Sequence, residues 1–78
     1  MNKQQAPAAT TTERITVALI PSASAHLAAL QERTGLSKTD LANRAITLYE
    51  FTDAQMRAGR DVLIRDNGTG EIQAVRFL

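Results

Sequence analysis

The sequence predicts an α+β fold, mainly helical, in which one short strand and two helices precede a C-terminal β-hairpin and a second copy of the chain completes the core. Three observations lead there. Residues 14–19 alternate between polar and apolar side chains, the period of a half-buried strand. Two segments between positions 22 and 58 repeat apolar residues every three or four positions, between recognisable helix start and stop signals. Asn67-Gly68, a hairpin-turn dipeptide, then separates two further apolar runs.

The chain has 78 residues, room for one domain. A chain this short buries proportionally little of its surface and needs a staple or a partner. It has no cysteine, which excludes a disulfide framework and thiolate metal sites. One histidine, His26, cannot build a structural zinc site, which takes roughly four ligands. No metal and no cofactor is therefore expected, and self-association is the expected source of extra buried surface. No apolar run approaches the ~20 residues that span a bilayer, and no signal-peptide pattern opens the chain. The expectation is a cytoplasmic, nucleoid-associated protein without membrane contact. A net charge of +1 gives no bulk attraction for nucleic acid, so any such binding has to come from locally placed donors.

Residues 1–12 read as a flexible tail of Gln, Ala, Pro and Thr, with Lys3 its one charged side chain. In the strand that follows, Ile15, Val17 and Leu19 form the apolar row and Arg14, Thr16 and Ala18 the other, until Pro21 ends the ladder-forming stretch. The first helix covers 22–34, with Ala23, Leu27, Leu30 and Thr34 along one stripe. Its start signals are Pro21 at the first helical position or Ser22 as cap, and Gly35 closes it. Ser37-Lys38-Thr39-Asp40 fits a capping box for the second helix, Asp40 standing where Glu or Gln is usual and reaching back to Ser37. Leu41, Ala45, Ile46, Leu48, Tyr49, Thr52 and Met56 carry that helix to about Ala58, and Gly59 stops it. These boundaries give three regions: the tail, a domain over 13–59, and a hairpin extension over 60–78.

A lone amphipathic strand leaves N–H and C=O groups unpaired along both edges. The C-terminal strands could pair with it. Alternatively it pairs antiparallel with its own copy, so that Ile15, Val17 and Leu19, twice over, cover the helices. The outer row of such a ribbon, Arg14, Thr16 and Ala18, would have the width that fits the major groove of B-DNA.

R-I-T-V-A-L (14–19), H-L-A-A-L-Q-E-R-T-G (26–35) and S-K-T-D-L-A-N-R-A-I-T-L-Y (37–49), in that order, resemble the ribbon-helix-helix superfamily of bacterial and phage regulators, which includes the Arc and MetJ repressors. The resemblance covers residues 13–58 and rests on spacing and residue type. It implies a homodimer, an intersubunit two-stranded antiparallel ribbon, and sequence-specific binding of double-stranded DNA by a transcription regulator of the repressor kind. It implies base contacts from Arg14, Thr16 and Ala18, and phosphate contacts from Ser37, Lys38 and Thr39. The dimer core would comprise Ile15, Val17, Leu19, Leu27, Leu30, Leu41, Ala45, Ile46 and Tyr49. Arginine can grip guanine O6 and N7 in a bidentate pair, and threonine can hydrogen-bond or meet a thymine methyl. Ala18 departs from the polar residue common at that place in the family, which weakens a three-residue code. Asp40 sets a negative charge beside the expected phosphate.

Each feature has a plainer reading. Arg14 and Thr16 suit the solvated face of an edge strand, and Ser37 suits an ordinary helix cap. His26 suits a helix flank, Tyr49 and Phe51 a dimer core and its margin. Arg44, Glu50, Asp53 and Arg57 suit a solvated helix face. No Ser–His–acid order, phosphate-binding Gly loop, HExxH helix or carboxylate pair appears, so no catalytic residue and no enzyme is expected. A second functional class stays open, an interaction module or antitoxin-like protein whose 60–78 hairpin binds a protein partner.

Overall fold

The computed structural model describes residues 11–76. Its elements run α1 (Pro21–Thr34), α2 (Lys38–Arg57), β1 (Leu63–Arg65) and β2 (Ile72–Ala74), a small, mixed, mainly helical α+β arrangement. Lys3 with most of the expected tail, and Phe77 and Leu78 at the other end, lie outside the described residues.

Residues 11–20 belong to no helix or sheet of the chain, and all are exposed. Ile20, at φ −70° and ψ 159°, is extended and delivers them into α1. Pro21 occupies the first helical position, where its missing N–H would have had no partner and its fixed φ suits the helix. Ser22 is not the cap: Ile20 holds that place, without a side-chain cap bond. The Ile20 carbonyl accepts the first helical bond, from the Ser24 N–H at 3.0 Å. At the other end Gly35 adopts φ 73°, and its N–H donates to the Gln31 carbonyl at 2.9 Å, a left-handed closure that L side chains rarely adopt.

α2 begins at Ser37, whose Oγ accepts a hydrogen bond from the Asp40 N–H at 3.1 Å. The expected return bond, from the Ser37 N–H to the Asp40 carboxylate, is not made among the described residues. Aspartate is one methylene shorter than the glutamate of a full capping box. α2 ends in a Schellman motif. The Gly59 N–H donates to the Met56 carbonyl and the Arg60 N–H to the Gln55 carbonyl, both at 3.0 Å, with Gly59 at φ 87°. Arg60 Nη1 also donates to Gln55 Oε1 at 3.3 Å, so the direction in which the chain leaves the helix is held twice.

The helices pack on each other through a narrow seam. Leu41 (8% exposed) and Thr52 (6%) are the two buried side chains among the described residues, with Ala23, Leu27 and Met56 half-buried. Thr52 is tolerated there because its hydroxyl donates to the Tyr49 carbonyl at 3.0 Å. Leu30, expected on the same stripe as Leu27, is more open.

β1 and β2 form a two-stranded antiparallel sheet pairing Leu63 with Ala74, Ile64 with Gln73 and Arg65 with Ile72. Among the described residues the sheet has no third strand, so residues 14–19 do not pair with these strands within the chain. It makes no contact with α1 or α2. The connecting turn does not use Asn67-Gly68 as its left-handed corner; Gly70 takes that conformation at φ 78°. Asp66 organises the turn. Its Oδ1 accepts from the Gly68 N–H at 2.7 Å and the Thr69 N–H at 3.1 Å, while the Thr69 hydroxyl accepts from the Glu71 N–H.

These bonds to the charged form, Thr69 first and then Gly68, hold the Asp66 carboxyl below its ordinary value. The stabilisation is therefore complete above the ordinary carboxylate range, and is lost as acid takes the pH below the folded value. In an acid titration followed by NMR, the Gly68 and Thr69 amide shifts should move together, with a midpoint below that of a free aspartate. Asp66→Ala should remove that transition.

Candidate nucleic-acid interface

The expected base-reading residues and the expected phosphate-binding residues stand at the two ends of α1. Arg14, Thr16 and Ala18 lie in the exposed segment before it, and Ser37, Lys38 and Thr39 begin α2 just after it. All six are exposed. No carboxylate lies within ion-pair distance of Arg14 or Lys38 among the described residues, so both cations are available to an anion.

The start of α2 has an anion-binding character that follows from its backbone. The Ser37 carbonyl accepts from the Leu41 N–H at 3.0 Å, and the Ser37 hydroxyl takes the Asp40 N–H. That leaves the N–H groups of Lys38 and Thr39 without hydrogen bonds among the described residues, at the positive end of a 20-residue helix. The Lys38 ammonium adds full charge and the Thr39 hydroxyl another donor. Asp40 opposes them. Its carboxylate is exposed and stands in the same turn. A phosphate approaching this end meets two free N–H groups and one cation, less the repulsion of Asp40.

The apolar row beside the outer residues is uncovered, with Val17 60% exposed and Ile15 and Leu19 similarly open. On α2, Ile46 and Tyr49 border a shallow groove with Ala45, Glu50 and Asp53. Of the nine residues expected in a dimer core, Leu41 alone is buried within one chain, and Leu27 is half-buried.

No family model, curated protein or solved structure matches the chain.

Among the described residues no group of His, Asp and Glu is placed to hold a metal ion. His26 lies exposed on α1. Among the described residues no helix is long and apolar enough to cross a membrane. The Asp53–Arg57 pair, at 2.8 Å and one helical turn apart, is exposed and contributes little to stability. Sequence reasoning missed the Asp66 turn; its signal was an Asp two residues ahead of a Gly and three ahead of a Thr, the spacing at which a carboxylate can cap successive N–H groups.

Because one side chain satisfies the Asp40 N–H, Ser37→Ala should lower stability by about 1 kcal/mol in urea denaturation. Ser37→Asp, which keeps an acceptor at the cap, should recover most of the loss.

Proposed function

We propose that the chain is the subunit of a homodimeric ribbon-helix-helix protein that binds double-stranded DNA sequence-specifically and regulates transcription as a repressor. The observation that carries this reading is the uncovered row Ile15, Val17 and Leu19, set immediately before a helix pair whose own flank, Ile46 and Tyr49, is also uncovered. Burying a large aliphatic side chain is worth about 1.5–3 kcal/mol, and leaving this many in water gives a single chain little reason to fold. Pairing residues 14–19 antiparallel with a second copy closes both problems, since it satisfies the backbone along one edge and sets six apolar side chains over the helices.

In the dimer the outer row, Arg14, Thr16 and Ala18, would face away from the helices on a ribbon of major-groove width. Arg14 would read guanine and Thr16 would hydrogen-bond or meet a thymine methyl, with Ala18 the least informative. Lys38, Thr39 and the free N–H groups beside them would grip phosphate and set the register without reading sequence. Two-fold symmetry in the protein calls for a palindromic or repeated operator.

Light scattering at micromolar concentration should give a dimer, and Val17→Asp should give a monomer; a monomeric wild-type chain would remove the ribbon. Selection from a random duplex pool should return a short symmetric motif. Arg14→Ala should relax one position of that motif, at about 1–3 kcal/mol of lost discrimination. Lys38→Ala should weaken all duplexes alike and reduce the salt slope by about 1. Equal loss for every duplex in both variants would show that the strand does not read bases.

A further inference from the structure

The ribbon leaves one part of the apolar surface unused. On a helix of 3.6 residues per turn, the apolar side chains of α2 run from Phe51 through Leu48, Leu41, Ala45 and Tyr49 to Ile46, an arc of about 220°. Arg44 and Gln55 interrupt one margin and Asp53 the other. Packing against one neighbour takes a stripe of roughly 100°. α1 covers the middle of the arc at Leu41 and Thr52, and the proposed dimer core takes the Ala45, Ile46 and Tyr49 flank. The opposite flank remains, a groove lined by Asn43, Arg44, Thr47, Leu48 and Phe51, with Phe51 58% exposed.

The C-terminal sheet is unmatched in the same way. By strand alternation from the observed register, one of its faces carries Val62, Ile64 and Val75, then Gln73, then Glu71 toward the turn. Ile64 is 59% exposed. Taken along its length, this face runs from apolar to acidic. The α2 groove runs from apolar (Phe51, Leu48) to basic (Arg44) over about 10 Å at 1.5 Å per residue. Val75 to Glu71 spans about 13 Å of strand. Neither Arg44 nor Glu71 has an ion-pair partner among the described residues. Length, polarity and charge therefore match. The sheet nevertheless stands clear of its own helices, and the Schellman motif at Gly59 and Arg60 fixes the exit that keeps it there.

We propose that the C-terminal sheet of each protomer seats on the Leu48–Phe51 groove of the other, an exchange that ties the two chains of the dimer together a second time, with Glu71 of one chain facing Arg44 of its partner. The proposal rests on the dimer reading above, and its test separates the two. The chain contains no cysteine, so engineered thiols report without background. Phe51→Cys and Ile64→Cys chains, purified separately, mixed and oxidised, should form a covalent dimer containing one of each. The charge reversals Arg44→Glu and Glu71→Arg, introduced in turn, should each slow that cross-linking about threefold to tenfold, and together restore it.

A disulfide formed only within a chain carrying both cysteines would place the sheet on its own helix and overturn the exchange. A dimer by light scattering with no mixed cross-link would overturn the exchange and leave the ribbon standing. A monomer with no cross-link would overturn both.

Discussion

Leu41 and Thr52 close the seam between α1 and α2, and the rest of the molecule depends on how small that seam is. Two helices of 14 and 20 residues are ordered around it, and each ordered residue costs about 1–2 kcal/mol of backbone entropy. One buried leucine and one buried, hydrogen-bonded threonine offset little of that. The missing stabilisation is not absent from the chain, because it is displayed on its surface as Ile15, Val17, Ile46, Leu48, Phe51, Ile64 and Ile72. Such a distribution suits the proposed dimer, in which the hydrophobic core would be shared between chains. Folding and association would then be one equilibrium, and stability would depend on protomer concentration.

The same logic concentrates polar work at helix ends. At the start of α2 a single serine caps the helix by accepting the Asp40 N–H, and its hydroxyl proton stays free to donate to an external phosphate. The N–H groups of Lys38 and Thr39 stand beside it, claimed by no side chain among the described residues. Asp40 favours the helix through its charge at the positive end, yet that charge weakens an incoming anion. The arrangement suits an anchor of moderate strength, one that would leave much of the discrimination to the strand.

How much of this was legible in the sequence varied with the range of the interaction. Pro21, Gly35, Ser37 and Gly59 act within one turn of their own position, and the helix limits they predict lie within a residue or so of those observed. The seam was legible in part: Leu27, Leu41 and Thr52 stood on the predicted stripes, whereas Leu30, on the same stripe as Leu27, is left exposed. The turn at 66–70 was legible as a turn but not in its geometry, because Asn67-Gly68 is a signal for two-residue loops. Here the Asp66 carboxylate binds two N–H groups and moves the left-handed corner to Gly70. The register of β1 and β2 was illegible from alternation because both faces of that sheet carry apolar residues, Ile64 on one and Leu63 and Ile72 on the other. What no local pattern could reveal is which surface covers which, since in the proposed dimer that would be decided between chains.

Under the proposed dimer, recognition and association cannot be separated. A strand's side chains alternate faces, so a ribbon slipped by one residue would turn Arg14 and Thr16 toward the helices and Ile15 and Val17 toward DNA. The apolar row therefore does more than supply core, because its burial sets the register in which Arg14 is presented. A substitution on the inner row would alter sequence reading without touching a base, and would do so in proportion to the register it disturbs. Ala18 fits this view. Its small side chain adds little to either face, which leaves Ile15, Val17 and Leu19 to fix the pairing and Arg14 and Thr16 to use it.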